Sequence, residues 1–308
     1  MSPTPSSKSN ASGTWVGIDL GGTGIKAGRL NEAGGDRKRA EAETRVHEGP
    51  EAVVGRMARL ARELGVQDHL GVGVPGLVDH AAGLIRKSPN LAPLEDFPLR
   101  RALAQELGLA EERVHIENDA CVAALGEHWL GGARGLTNVM MVTLGTGVGG
   151  GLILAGELFS GSTGLAAEIG HVIVDPAGPL CGCGNIGCLE ALASATAAER
   201  RCVAAGLGNS LVAVCTRARE GDVGCREVLH AVGLDLGRGL AAALMLLDLD
   251  AFLIGGGFGA ALDLLRDGIE DGLLERTYGR SREQLRLLPA ELGADAGWIG
   301  AAKLGSRT

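Results

Sequence analysis

The sequence has no uninterrupted stretch of the roughly 20 apolar residues that a membrane-crossing helix needs. Even the apolar stretch from Leu240 to Ile254 is broken by Asp248 and Asp250, so a soluble chain with no membrane partner is expected. Positive charge is also short: 29 Lys and Arg stand against 37 Asp and Glu, a net charge of −8. Binding along a nucleic acid draws on clustered cations, so a broad polyphosphate surface is excluded and no nucleic-acid partner is expected. A single nucleotide held by backbone amides remains compatible. The apolar centre of a secretory signal is missing from the Ser-, Pro- and Asn-rich segment Met1 to Gly13, which predicts a disordered tail and a cytoplasmic protein. Aromatic residues make up 3%, with one Tyr, whereas there are 51 Gly. That imbalance predicts many tight turns and close backbone approaches, a pattern suited to phosphate loops.

What is present is 308 residues, 45% of them apolar, enough to fill one large or two medium domains. The 7 cysteines are an odd number. Cys181, Cys183 and Cys188 crowd together while Cys121, Cys202, Cys215 and Cys225 stand alone in apolar helical segments. Such clustering favours a metal over disulfides in a reducing compartment, and the isolated thiols read as core residues.

Along the chain, Thr14 to Leu30 reads as strand, glycine turn and strand, with Asp19-Leu20-Gly21-Gly22-Thr23-Gly24 at the turn. The spacing of Val53, Val54, Met57, Leu60, Ala61 and Leu64 predicts an amphipathic helix over Pro50 to Leu64, closed by Gly65. Leu70 to Val74 reads as a buried strand, Leu99 to Leu107 as a helix stopped by Gly108, and Val114 to Glu117 as a strand. Asn118 and Asp119 then fall where a helix to about Trp129 begins. Asn138 to Leu144 leads into the glycine run Gly145 to Gly151, and Leu152 to Ala155 leads out. The two Gly/Thr hairpins lie about 125 residues apart and predict a duplicated architecture. The region from Ser194 to Leu247 reads as mostly helical, and Asp250 to Ile254 as a strand entering Gly255-Gly256-Gly257, where a ligand is expected to approach the backbone.

Backbone N–H groups and Thr hydroxyls of the two turns can donate to phosphate oxygens, and Asp19 beside the first can hold Mg²⁺ directly or through water. Either turn alone fits an ordinary glycine hairpin; the pair points to phosphate. Gly145-Thr146-Gly147-Val148-Gly149-Gly150 also satisfies G-x-G-x-x-G, but the next residues read as a strand, so a dinucleotide fold is rejected. Cys181, Cys183 and Cys188, with His171 ten residues upstream of the first, supply three thiolates and an imidazole for a closed, structural Zn²⁺ site. Asp119 is the candidate general base for phosphoryl transfer to an alcohol, in a form that a helix start would keep ionised. Capping the helix is the competing reading of Asp119. Glu168, His171 and Glu190 are drawn together by the metal knuckle and suit sugar hydroxyls.

Together these residues resemble the ROK family (repressors, open reading frames, kinases), and within it the bacterial ATP-dependent glucokinases. The resemblance runs from Gly17 to Lys303. It rests on Asp19-Leu20-Gly21-Gly22-Thr23 with Lys26, Glu117-Asn118-Asp119-Ala120, Leu144 to Gly151, Glu168-Ile169-Gly170-His171, and Cys181 to Glu190. It implies an α/β, actin-like, ribonuclease-H-type two-lobed sugar kinase fold. A smaller lobe is expected over 14–118, and a larger one over 119–296 with the zinc knuckle at 171–190. A C-terminal helix over 297–308 would pack back on the first lobe.

The resemblance also implies that Asp119 deprotonates the sugar hydroxyl while Asn118, Glu168, His171 and Glu190 hold the ring, His171 serving both zinc and sugar. The turns at Gly21-Gly22-Thr23 and Gly145-Thr146-Gly147 would bind the phosphates of Mg²⁺-ATP, with the adenosine near Gly255, Gly256 and Gly257. Gly76, in the turn Gly73 to Gly76, and Asn90 would approach the sugar. Repressor members carry an N-terminal helix-turn-helix, for which the 16 residues before Gly17 are too few. The expected activity is ATP-dependent conversion of glucose to glucose 6-phosphate by a homodimer or homotetramer, in keeping with Ser88-Pro89-Asn90-Leu91. N-acetylglucosamine, N-acetylmannosamine, fructose and allose are the alternative substrates, and a sugar sensor without turnover is the alternative of another class.

Overall fold

The computed structural model describes residues 13–88 and 90–306. Apart from Gly13, the tail expected over Met1 to Gly13 lies outside the described residues, as do Pro89 and the last two positions of the helix expected over 297–308.

The chain opens with a meander of strands β1 (Thr14–Leu20), β2 (Gly24–Asn31) and β3 (Lys38–Glu43). Helix α1 (Pro50–Glu63) carries it to β4 (Leu70–Val74). A small hairpin, β5 (Leu77–Asp79) and β6 (Leu84–Lys87), and helix α2 (Leu99–Leu107) precede β7 (Val114–Asn118). Helix α3 (Asp119–Leu130) leads to a second meander, β8 (Val139–Leu144), β9 (Val148–Leu154) and β10 (Glu157–Leu158). Helices α4 (Leu189–Ala193), α5 (Ala195–Ala204), α6 (Leu211–Arg219) and α7 (Val223–Leu247) follow. The chain then forms β11 (Ala251–Gly255), α8 (Leu262–Arg276), β12 (Leu287–Pro289) and α9 (Ala296–Gly305).

Two five-stranded sheets result, in the orders β3-β2-β1-β4-β7 and β10-β9-β8-β11-β12. In both, the meander is antiparallel and the next two strands add in parallel to its first strand. The duplication expected from the two hairpins is thus a duplication of wiring.

Between the sheets lie α3 and α9, which pack on each other at backbone distance. A Cβ at Gly300 would stand 1.6 Å from the Val122 carbonyl oxygen, and one at Gly71 of β4 would stand 1.8 Å from that of Ala301. Part of the glycine surplus therefore serves helix and sheet contact, and phosphate turns account for only some of it. Helix α9 also buries Trp298, 1% exposed, against β2.

The glycine run after Leu144 divides differently from the expectation. Strand β9 begins at Val148, so Gly149, Gly150 and Gly151 are strand residues and only 145–147 form the turn. The reason is α3: a Cβ at Gly151 would meet the Ala120 carbonyl oxygen at 2.6 Å. The edge strand β3 was not foreseen, because Lys38-Arg39-Ala40-Glu41-Ala42-Glu43 puts charges at most of its positions, as exposed edge strands do. The expectation that no segment is long and apolar enough to cross a membrane is also corrected. The 25-residue helix α7 meets both criteria. Its apolar face is spent inside the protein, where Leu229, Val232, Leu236 and Leu240 are fully buried and Gly233 and Gly237 lie against the backbone of α8.

Candidate active site

Parallel register decides which residues meet. Asp19 on β1 pairs with Gly73 on β4, Gly73 with Glu117 on β7, and Val74 with Asn118. The C-terminal ends of three strands thus bring Asp19, the turn at Gly76 and the Asn118–Asp119 junction to one edge, the usual ligand edge of parallel sheets.

At that junction Asn118, not Asp119, caps α3: its side-chain oxygen accepts from the N–H groups of Ala120 and Cys121. Its Nδ2 donates to the carbonyl of Gly76 at 3.0 Å, tying the cap to the neighbouring turn. Asp119 occupies the first helical position, and its Oδ1 accepts from the Ala120 N–H at 2.8 Å. Burial pushes its pKa up to about 6, the nearby charge of Asp19 adds to the rise, and the N–H of Ala120 opposes it. The N–H groups at the helix start favour the ionised form, as expected, but losing water outweighs them, so the net shift is upward. Asp19 is raised as well, by burial first, with Lys26, its cross-strand partner, pulling it down.

Two turns flank this carboxylate pair. In the first, the Gly21 N–H bonds the Gly24 carbonyl at 2.9 Å, and Thr44 Oγ1 donates to the Gly21 carbonyl at 2.6 Å. Asn90 lies against it, since a Cβ at Gly22 would meet the Asn90 Cβ at 3.1 Å. In the second, the Gly145 N–H bonds the Gly147 carbonyl at 3.0 Å, and Thr196 Oγ1 donates to the Thr146 carbonyl at 2.9 Å.

Beside the second turn is a cavity of about 460 Å³ whose lining includes Gly145, Thr146, Val212, Cys215, Thr216 and Gly257. Gly257 has no heavy atom near its missing Cβ, whereas Gly256 holds φ +82° with the Leu144 carbonyl oxygen 2.4 Å from where a Cβ would sit. Gly255 ends β11 at the same place. The contribution of α6 to this cavity was not foreseen: its apolar residues look like any core stripe in sequence. Cys215, read as a core thiol, is indeed buried but reaches the cavity wall.

The cysteine knuckle assembles from three short pieces. His171 closes a single helical turn, Cys181 lies in a loop, and Cys188 precedes α4 as its N-cap residue. The ligand atoms of His171, Cys181, Cys183 and Cys188 all lie within 4.8 Å of one another. Cys183 Sγ is 3.6 Å from Cys188 Sγ, and Cys181 Sγ is 3.8 Å from His171 Nδ1. A tetrahedral ion with bonds of about 2.3 Å to sulfur spaces its ligands about 3.8 Å apart, so the donor set fits Zn²⁺.

Glu190, in the first turn of α4, accepts the Val148 N–H at 3.1 Å and fills the space a side chain at Gly147 would need. The knuckle is thereby joined to the second turn. Glu168, preceded by Ala167 at φ +67°, has its pKa raised by partial burial, lowered by His171 and raised again by Glu190. The structure therefore gathers Glu168, His171 and Glu190 as a group beside Cys181, Cys183 and Cys188.

Like-wired sheets, each headed by a glycine turn, with a carboxylate pair between them, define the actin-like, ribonuclease-H-type class of two-lobed kinase folds. The ROK family profile matches residues 15–308, and the chain belongs to the ROK family. A glucokinase of Thermotoga maritima is 34% identical, over 94% of this chain and 96% of its own. A ROK hexokinase of Thermus thermophilus superposes with a TM-score of 0.81 at 35% identity, covering 95% of this chain and 97% of its own. A ROK glucokinase of Streptomyces griseus, solved with glucose and AMPPNP, gives 0.77 at 33% identity, covering 95% and 99%.

Proposed function

We propose that this protein is a hexokinase-type phosphotransferase that uses ATP to phosphorylate a hexose, converting glucose to glucose 6-phosphate. The observation that carries the reading is Asp119, a carboxyl with a pKa of about 6 set at a strand–helix junction between two glycine turns. A base tuned close to neutrality is ionised at working pH and still a useful proton acceptor.

The attacking sugar hydroxyl gives its proton to the Asp119 carboxylate as its oxygen bonds the γ-phosphorus of ATP. The bond between that phosphorus and the β–γ bridging oxygen breaks, and ADP leaves. Asn118, Glu168, His171 and Glu190 hold the sugar ring, and Gly76 and Asn90 border it. The turns at Gly21-Gly22-Thr23 and Gly145-Thr146-Gly147 cradle the phosphates, with Lys26 and a Mg²⁺ near Asp19 offsetting their charge. The adenosine occupies the cavity by Gly255-Gly256-Gly257.

Bound at the knuckle, Zn²⁺ would be structural, its four protein ligands leaving no position for water. His171 would hold it beside Cys181, whose Sγ is 3.8 Å from Nδ1, and would serve the sugar as well. Lobes at 14–118 and 119–296 close over the substrates and exclude water that would otherwise hydrolyse ATP. The protein is soluble and cytoplasmic and works as a homodimer or homotetramer.

The test is a coupled ATP-dependent assay over glucose, fructose, allose, N-acetylglucosamine and N-acetylmannosamine, ranked by kcat/KM. Glucose is expected first, and no turnover on any of them overturns the reading.

A further inference from the structure

Glu117 is 4% exposed and carries none of the chemistry assigned above, yet three segments converge on its carboxylate. Oε1 accepts the N–H of Asn118 at 2.8 Å and is 3.0 Å from Nε2 of His80. Oε2 accepts the hydroxyl of Ser160 at 2.7 Å. His80 directly follows β5 and so belongs to the hairpin that begins at Gly76. Ser160 opens a loop beyond β10 that closes on itself through the Ala166 N–H and Ser160 carbonyl, 3.2 Å apart, and runs on into Glu168.

The contact between hairpin and loop is tight. Gly164 holds φ +80°, and a Cβ there would stand 2.8 Å from the Val78 carbonyl oxygen and 2.9 Å from the His80 ring. Arg100 fixes His80 from behind, donating to its carbonyl at 2.5 Å. The His80 pKa is raised, first by the hydrogen bond to Glu117 and then by the charges of Glu117 and Asp79, against burial and Arg100, so the imidazole is biased toward its charged, doubly donating form.

We propose that Glu117, His80 and Ser160 form a clasp of positioning residues that joins the Gly76 hairpin, the Asn118–Asp119 junction and the loop carrying Glu168, and thereby sets the geometry of the sugar subsite. The hydrogen bond from Ser160 crosses from the segment after the second sheet to a strand of the first, so the clasp is complete only when the parts of the subsite are in register. A buried carboxylate that loses one of its donors keeps its desolvation cost and relaxes by moving, and the residue attached to it is Asn118. The inference rests on the sugar-kinase reading of this site.

The test uses the full chain with Ser160→Ala, His80→Ala and His80→Gln, the last keeping a donor near the Nε2 position. KM for glucose and glucose affinity by calorimetry are measured beside KM for ATP and melting temperature. Ser160→Ala and His80→Ala are expected to weaken glucose about tenfold, the order expected for one hydrogen bond to a charged group, with KM for ATP changed less than twofold. His80→Gln is expected to recover most of the loss. Equal weakening of glucose and ATP, or a fall in melting temperature with glucose affinity intact, would overturn the clasp and leave the kinase reading standing. Calorimetry on wild type showing no hexose binding would instead sink the kinase reading itself. Should Ser160→Ala fail to fold, the His80 pair decides alone.

Discussion

Replacing Asp119 by Asn is expected to make the ligand-free protein more stable while removing most of its activity. The carboxyl has a pKa of about 6 against an ordinary 3.8, roughly two units, which corresponds to about 3 kcal/mol at 1.4 kcal/mol per unit. Because the folded-state pKa is raised, protonated Asp119 carries no penalty below the unfolded value. Stability is lost as pH rises from about 4 through about 6, and the full cost applies above that. Asn keeps an oxygen for the Ala120 N–H but has no charge to bury. The variant should therefore match wild type near pH 4 and exceed it by about 3 kcal/mol at pH 8, read by urea unfolding of ligand-free protein. Without a general base, kcat should fall by about 10² to 10⁴, and wild-type kcat/KM should fall tenfold per unit below about pH 6. A variant equal to or less stable than wild type at pH 8 would refute the account of why this carboxyl titrates high. Retained activity would refute its role.

Cys183→Ser should lower bound zinc from about one per chain to a small fraction by metal analysis and weaken glucose more than ATP, since the knuckle is joined to Glu190 and Glu168. Fully active protein that contains no metal would contradict this. Gly256→Ala should cost about 2 kcal/mol or more and raise KM for ATP, because a Cβ at φ +82° would also overlap the Leu144 carbonyl; a thermal melt and ATP kinetics check it. Glu127, fully buried, accepts the N–H groups of Gly132, Glu291 and Leu292 and so ties both stretches of chain that cross between the sheets. Glu127→Ala should destabilise by about 3 kcal/mol or more, and a melt unchanged from wild type would show that water replaces it.

Local signals were readable directly. The strand at Leu70–Val74 and the helix at Leu99–Leu107 have the bounds expected, because a short apolar run and a 3.6-residue stripe with a Gly stop are each specified by neighbours in sequence. The gathering of His171, Cys181, Cys183 and Cys188 was readable for the same reason: they lie within 18 residues of chain. So was the doubling of the glycine hairpins.

Tertiary structure decided what depended on distant partners. Asn118, not Asp119, is the cap, and the pKa of Asp119 is raised first by burial and then by the charge of Asp19, about 100 residues away in sequence and brought near by the parallel register of β1, β4 and β7. His80 reaches Glu117 from the hairpin after β4, and Ser160 reaches it from the loop beyond β10 of the other sheet. Lone His, Ser and Glu residues carry no spacing pattern, so nothing in the chain marks them before the strands align. Gly151 of β9 and Gly300 of α9 likewise became intelligible only once helix α3, which presses on both, was known. Chain order specifies local conformation and nearby ligand sets; desolvation and long-range contact belong to the folded state, because both depend on what the rest of the chain places around a group.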